Sequence, residues 1–96
     1  MPEVVTKIAP VYPTELREAG VQGIAMVDIL IDSTGRVVEA KAVRATTPEF
    51  ATSAVAAAQN WVFKPAEAAG HKITSRVQVP FEFVMPQVAA LERNRR

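Results

Sequence analysis

Few side chains in this protein have the types and spacing that catalysis requires. The single histidine is His71 and there is no cysteine, so neither a zinc site of the usual kind nor thiolate chemistry is available. His71 lies beside Gly70 and Lys72 in a segment predicted to be a solvated loop. Because no nucleophile, base and oxyanion site are predicted to share a pocket, we predict that the protein is not an enzyme and binds no metal or cofactor.

Other patterns that could bind a ligand have structural explanations. Asp32-Ser33-Thr34-Gly35 separates two β-type runs, and aspartate first with glycine fourth is typical of a tight hairpin turn. A metal loop is the alternative, but no further carboxylates follow at ligand spacing. Gly20-x-x-Gly23 lacks the strand–loop–helix context of a phosphate cradle. Trp61 and Phe63 could stack on a ligand, yet core packing where a helix meets a sheet accounts for both.

Length, charge and hydropathy limit the possible classes of protein. A chain of 96 residues predicts one domain, 1–96, with a core over 8–84 and a tail over 85–96. The net charge of +1 provides no strong field, and we predict no nucleic-acid partner. No apolar run approaches the roughly 18 residues that span a bilayer. The start, Met1-Pro2-Glu3, lacks the pattern of a signal peptide.

Periodic hydrophobicity predicts the elements that position these residues. Strands are expected over 24–31, 36–44 and 73–84. Their apolar faces are predicted to be, in chain order, Ala25, Val27, Ile29 and Ile31; Val38, Ala40 and Ala42; and Ile73, Val77, Val79, Phe81 and Phe83. Residues 1–11 are predicted to be an extended lead-in and 67–72 a loop. Residues 1–7 and 92–96 are expected to be the least ordered.

Two helices are predicted. The first is short, has Pro13 in its first turn, and ends at Gly20. The second begins after Thr47, which can cap it. Its apolar stripe, spaced at i, i+4, i+8 and i+11, consists of Phe50, Ala54, Ala58 and Trp61. The predicted fold class is therefore α+β in two layers, with an antiparallel three-stranded sheet packed against two helices in the order α-β-β-α-β.

The last strand is predicted to lie at a sheet edge, because Pro80 cannot donate a hydrogen bond to a strand ladder. The strand is long and regular, and Arg76, Pro80 and Glu82 protect it only in part. Such an edge can accept an extended peptide by strand addition or pair with a second copy of the chain. An edge without a function, or one covered by residues 85–96, is the alternative.

Four motifs, taken in order, resemble a known family. They are Tyr12-Pro13, Gly20-Val21-Gln22-Gly23, Asp32-Ser33-Thr34-Gly35 and Trp61-Val62-Phe63-Lys64-Pro65. Over residues 8–84 this set resembles the C-terminal domain of TonB, the periplasmic energy transducer of Gram-negative bacteria. The resemblance implies the same α+β architecture as the hydrophobic pattern. It also suggests an excised domain whose Met1 is not the natural start.

The resemblance further implies a partner and a site. In the TonB family the last strand pairs with the TonB box, a short N-terminal segment of outer-membrane transporters. Carried onto this chain, the implied partner-binding residues are Arg76, Val77, Gln78, Val79, Pro80, Phe81, Glu82 and Phe83, with Arg17 where some relatives have a glutamine near the transporter. The implied location is the periplasm, with an N-terminal inner-membrane anchor. A TonB-like structural or self-associating domain of an envelope or sensor protein is the alternative.

Overall fold

The computed structural model describes residues 3–84 and contains two helices and seven strands in that range. Their order is β1 (Glu3–Thr6), α1 (Thr14–Glu18), β2 (Gly23–Ile31), β3 (Val37–Ala45), α2 (Pro48–Ala58), β4 (Val62–Lys64), β5 (Ala66–Ala68), β6 (His71–Ile73) and β7 (Ser75–Phe83). The predictions for residues 85–96, including disorder at 92–96 and masking of the last strand, lie outside the described residues.

The main sheet has three antiparallel strands in the order β3-β2-β7, which confirms the predicted fold class. Buried and partly exposed side chains alternate along the central strand β2, as its sequence predicts. Its inward side chains are all fully buried, namely Ala25, Val27, Ile29 and Ile31. One face of the sheet packs against the helices, and the other faces solvent, which an antiparallel sheet tolerates.

Helix α2 supplies the second layer of the core. The Oγ1 atom of Thr47 accepts a hydrogen bond of 3.1 Å from the backbone N–H of Phe50, and Pro48 occupies the first turn. The face of α2 that meets the sheet is made by Phe50, Ala54, Ala57 and Ala58, all buried. Three of these are alanines, so the helix approaches the sheet closely. Trp61 follows the helix and completes the predicted stripe.

The shorter helix α1 is positioned by its two ends. Pro13 is the N-cap rather than a first-turn residue, so the helix begins one residue later than predicted. At the other end Gly20 has a φ of +73°, and the N–H of Val21 donates to the carbonyl of Leu16 over 2.9 Å. Leu16 is half-buried against the core, which makes it the anchor of this helix.

The buried face of β3 differs from the predicted one. The β2–β3 register passes from Leu30↔Glu39 to Ile31↔Val37, so Val38 is an extra residue in a β-bulge. Val37 packs against the core instead, and Val38 is 57% exposed. A second bulge leaves Val43 exposed in the same way. The prediction that Val38 lies on the buried face is therefore wrong.

The structure contains two short strand pairs that the sequence did not predict. Strand β1, within the segment predicted to be an unpaired lead-in, pairs antiparallel with β4. Residues 66–73 form the β5–β6 hairpin instead of the predicted loop. Ala69 and Gly70 at its tip both have positive φ, 53° and 80°, as a type I′ turn requires. Ile73 belongs to this hairpin and is 38% exposed, so its predicted place on the buried face of the last strand is wrong.

Candidate functional site

The outer edge of β7 is the main candidate for a binding site. Strand β7 pairs with β2 along all nine residues, from Gly23↔Phe83 to Ile31↔Ser75, without a register shift. Among residues 3–84, no strand pairs with its other side. The predicted edge position is therefore confirmed, and the strand presents backbone groups that the sheet does not use.

The register identifies which backbone groups point outward. Both the N–H and the C=O of Ile24 are bonded to Thr46, at the β3 side of β2. The direction of the backbone N–H and C=O groups alternates along a strand, so those of the odd-numbered residues of β2 point to β7. Each of these residues pairs with an odd-numbered residue of β7, whose backbone groups point to β2 in return. The outward groups on β7 therefore belong to Arg76, Gln78, Pro80 and Glu82.

Pro80 fits this pattern because its missing N–H lies on the outward side. It pairs in register with Met26, and the alternation places the backbone groups of both residues away from the β2–β7 ladder. The proline therefore removes no hydrogen bond from the sheet. It leaves a gap of one donor in the free edge between the N–H groups of Gln78 and Glu82.

The side chains of β7 divide between the two faces of the sheet. Phe81 and Phe83 are 4% and 2% exposed, while Val77 and Val79 are half-buried on the same face. Phe83 stacks on Phe50 with ring centroids 4.2 Å apart. The apolar members of the predicted site therefore serve mainly the core. They would contribute to partner binding indirectly, by holding the backbone of β7 in position.

Arg76 is already engaged within the sheet. Its Nη1 atom lies 2.8 Å from Oδ2 of Asp28, and its Nη2 atom lies 3.9 Å from Oε1 of Glu39. Asp28 and Arg76 are diagonal neighbours, because Asp28 pairs with Gln78 and Leu30 pairs with Arg76. The guanidinium remains half-exposed, so the pair adds little stability, but it orients the side chain across the solvent face.

Arg17 lies apart from the other predicted site residues. It is exposed on α1, the second element in chain order, whereas β7 is the ninth. Helix α1 follows Tyr12, whose ring contacts Phe83 edge-on at 5.7 Å. Arg17 therefore belongs to the element found at the Phe83 end of β7, beyond the free edge itself.

A cavity of about 300 Å³ lies beside the second half of β7. It is lined by the lead-in residues 7–10, by Trp61 and by residues 79–82 of β7. The Nε1 atom of Trp61 donates a hydrogen bond of 2.8 Å to the carbonyl of Ile8, which holds the lead-in in place. Sequence reasoning missed this cavity, because nothing in the local pattern of 7–10 indicates contact with Trp61, 53 positions beyond Ile8, or with residues 79–82.

The opposite sheet edge is a poorer template for strand addition. Its strand, β3, contains the two bulges at Val38 and Val43. Bulges interrupt the regular spacing of donors and acceptors and increase the local twist. The β7 edge has no bulge along its pairing with β2, so it offers the longer regular array.

The remaining predicted ligand residues have structural partners or lie exposed. The Oδ1 atom of Asp32 accepts hydrogen bonds from the hydroxyl of Thr34 (2.6 Å), the N–H of Thr34 (2.8 Å) and the N–H of Arg36 (3.1 Å). These bonds, the hydroxyl bond first, lower the pKa of Asp32 below its ordinary value. His71 is exposed on β6 rather than in a loop.

Neither a metal cluster nor a membrane span is found in the part of the chain that the structure describes. Within residues 3–84, no three His, Cys, Asp or Glu side chains are grouped so that they could hold a metal ion. No helix in that range is both long enough and apolar enough to cross a bilayer.

A protein-family model and solved structures both match this chain. The family model of the Gram-negative bacterial TonB protein C-terminal matches residues 8–85. The solution NMR structure of the Pseudomonas aeruginosa TonB CTD superimposes with a TM-score of 0.74 and 22% sequence identity, covering 90% of this chain and 88% of that chain. This likeness shows a shared fold. No protein of curated function matches the chain.

Proposed function

This chain belongs to the family of Gram-negative bacterial TonB protein C-terminal domains, and from that premise we propose that it binds outer-membrane transporters by strand addition to the free edge of β7. The family is the transporter-interacting domain of an energy transducer and acts in the periplasm. It is a family of protein-interaction domains rather than of enzymes. The proposal adds the element that makes the contact and the kind of contact it makes.

One observation carries the proposal, the regular outer edge of β7. Arg76, Gln78 and Glu82 each direct an N–H and a C=O away from the sheet, and Pro80 adds a carbonyl. An extended peptide laid along this edge would gain several backbone hydrogen bonds and would extend the sheet to four strands. The buried side chains of Phe81 and Phe83 anchor the edge strand in the core.

The proposed partner segment is the TonB box of a transporter. Backbone pairing explains how one domain could grip segments of different sequence, because the bonds do not depend on side-chain identity. It also suits pulling, since several hydrogen bonds share a load applied along the strand. Arg17, at the Phe83 end of β7, is proposed to contact the transporter outside the paired segment and so to influence receptor choice.

We further propose that the full protein is anchored in the inner membrane and that this domain reaches the transporter through the periplasm. The support is the family membership of residues 8–85. The test is to locate the gene product in fractionated cells. Recovery of the domain with the inner-membrane fraction, and its release by protease treatment of the periplasmic side, is the expected result. Recovery in the cytoplasm would contradict it.

The strand-addition proposal is tested by titrating the ¹⁵N-labelled domain with a synthetic TonB-box peptide. The backbone amides of Arg76, Val77, Gln78 and Val79 should shift, while α2 should barely respond. Binding should be micromolar or weaker, since a free peptide loses conformational entropy when it pairs. A peptide of the same length with prolines substituted at alternate positions is the matched control, because it lacks the donors that strand pairing needs. Shifts confined to the Asp32–Gly35 turn would contradict the proposal.

The same edge can pair with a second copy of the chain, which is the self-association alternative. Sedimentation at increasing concentration measures this pairing directly. If the domain forms dimers through β7 and the peptide does not compete with them at any concentration, the structural role is preferred. If adding the peptide dissociates the dimers, self-pairing and peptide binding use the same edge, and the transporter-binding role is supported.

A further inference from the structure

We infer that the cavity between the lead-in and β7 receives one bulky apolar side chain of the added strand, and so selects among the peptides that the edge can pair with. This inference rests on the proposed strand addition and concerns its specificity. The cavity is bounded by residues 7–10, Trp61 and residues 79–82, and it opens beside the outward backbone groups of Pro80 and Glu82.

The alternation of a β-strand determines which peptide side chain would enter the cavity. Side chains directly opposite each other on paired strands lie on the same face of the sheet. On β7 the helix-side face carries Val77, Val79 and Phe81, and the solvent face carries Gln78 and Pro80. A peptide residue opposite Val79 or Phe81 would therefore point its side chain toward the helix layer, where the cavity lies.

The cavity has a mainly apolar lining, to which Lys7 and Glu82 add two charged groups. The indole N–H of Trp61 is bonded to the carbonyl of Ile8, and Nζ of Lys7 lies 5.9 Å from the ring centroid, so only the small exposed part of the ring, 4% of the residue, can meet an occupant. Ile8, Pro10 and Val79 add aliphatic surface. A volume of about 300 Å³ is large enough for one bulky side chain. A leucine or phenylalanine side chain that displaces part of the water there would bury apolar surface and favour binding.

The lead-in is held in place before any peptide arrives. Besides the Trp61–Ile8 bond, the hydroxyl of Ser53 on α2 donates a hydrogen bond to the carbonyl of Val11. The lead-in is thus fastened at both sides of residues 9 and 10. A segment that is already held in place loses little conformational entropy on binding. The free energy gained from contact with the peptide side chain is therefore not offset by the cost of ordering the lead-in.

The test is a leucine and alanine scan of the TonB-box peptide against the labelled domain. Each position is replaced in turn by alanine and by leucine. One position should bind about tenfold more tightly as leucine than as alanine, whereas its neighbours on the opposite face should differ by less than about twofold. The leucine peptide should also shift the Trp61 indole N–H resonance, and the alanine peptide should not.

A matched pair of protein variants separates the cavity from the edge. Ala9 lines this cavity and also a neighbouring groove against α2, so Ala9→Leu should narrow the cavity and abolish the leucine preference, while the Arg76 and Gln78 amides still shift. Ala56 is exposed on α2 and lines that groove but not the cavity, so Ala56→Leu should leave the tenfold preference intact and is the control for an effect through the groove.

The outcomes distinguish the two proposals. If the edge amides respond to every peptide but no position prefers leucine and the indole resonance does not move, selection by the cavity is overturned and strand addition stands. If the preference persists in Ala9→Leu, the side chain binds elsewhere and the inference is likewise overturned. If no peptide shifts the edge amides, strand addition fails, and the inference fails with it.

Discussion

The indole of Trp61 donates a hydrogen bond of 2.8 Å to the carbonyl of Ile8, joining residues 53 positions apart in the chain. The centroid of the Trp61 ring lies 5.1 Å from that of Phe81 and 6.0 Å from that of Phe63. One side chain thus connects the lead-in, the end of α2 and the edge strand. The Trp-x-Phe-x-Pro motif that indicates the family is therefore also a junction of the core.

Replacing Trp61 with alanine should destabilise the domain severely. Trp61 is 4% exposed, and truncating a buried tryptophan costs about 3–5 kcal/mol. That is a large part of the 5–15 kcal/mol typical of a domain. Urea unfolding measures the change. Val38→Ala is the control, because Val38 is 57% exposed and its loss should alter stability by about 0.5 kcal/mol or less. Equal stability of Trp61→Ala and the parent would contradict this packing.

Proline at Gln78 should weaken peptide binding and leave the fold intact. The N–H of Gln78 points to the free edge, so the variant loses a donor that only the partner would use. Peptide titration and urea unfolding measure the two effects. Gln78→Ala should change neither, because the backbone makes the contact.

The matched variant for this experiment is proline at Val77. Its N–H faces β2, opposite Ile29, so Val77→Pro removes a ladder hydrogen bond and leaves the acceptor on β2 unpaired, which should cost about 1–3 kcal/mol. If Gln78→Pro destabilises the domain as much as Val77→Pro, the outward assignment of the edge groups is wrong.

Glycine at position 35 should be far less replaceable than glycine at position 70. Both have positive φ, 94° and 80°, so alanine carries a backbone cost of about 1–2 kcal/mol at either site. A Cβ at Gly35 would also lie 1.9 Å from the carbonyl oxygen of Phe63, whereas one at Gly70 would meet nothing within 4 Å. Thermal unfolding should therefore show a loss of about 3 kcal/mol or more for Gly35→Ala. Equal losses at the two sites would mean that the contact with Phe63 does not constrain the turn.

The turn at Asp32 should lose its stabilising effect in acid. Its pKa is lowered by hydrogen bonds, first from the Thr34 hydroxyl. A lowered folded-state pKa adds stability that is fully present above the unfolded value, near 3.9, and is lost as the pH falls through the folded value. The carboxyl carbon shift of Asp32, followed by NMR, gives the midpoint. Thr34→Val should raise it toward the ordinary value, and Thr34→Ser should retain it. An unchanged midpoint in Thr34→Val would exclude the hydroxyl as the cause.

Local patterns in the sequence were sufficient for the elements that carry the fold. The alternation of Ala25 to Ile31 predicted the buried face of β2, and Thr47-Pro48 predicted the start of α2, because both signals involve neighbours within a few residues. Pro80 predicted the edge position of the last strand. The four motifs, in their order, indicate the TonB family, and the family model that matches residues 8–85 confirms it.

Only the tertiary structure decided register and long-range contacts. The bulges that expose Val38 and Val43, the diagonal pair of Arg76 with Asp28, and the pairing of β1 with β4 all depend on how distant strands align. A shift of one residue would reverse which backbone groups of β7 point outward. The sequence by itself therefore determined which segment forms the edge. The alignment of that segment with β2, set by packing across the whole core, decided which of its atoms a partner can reach.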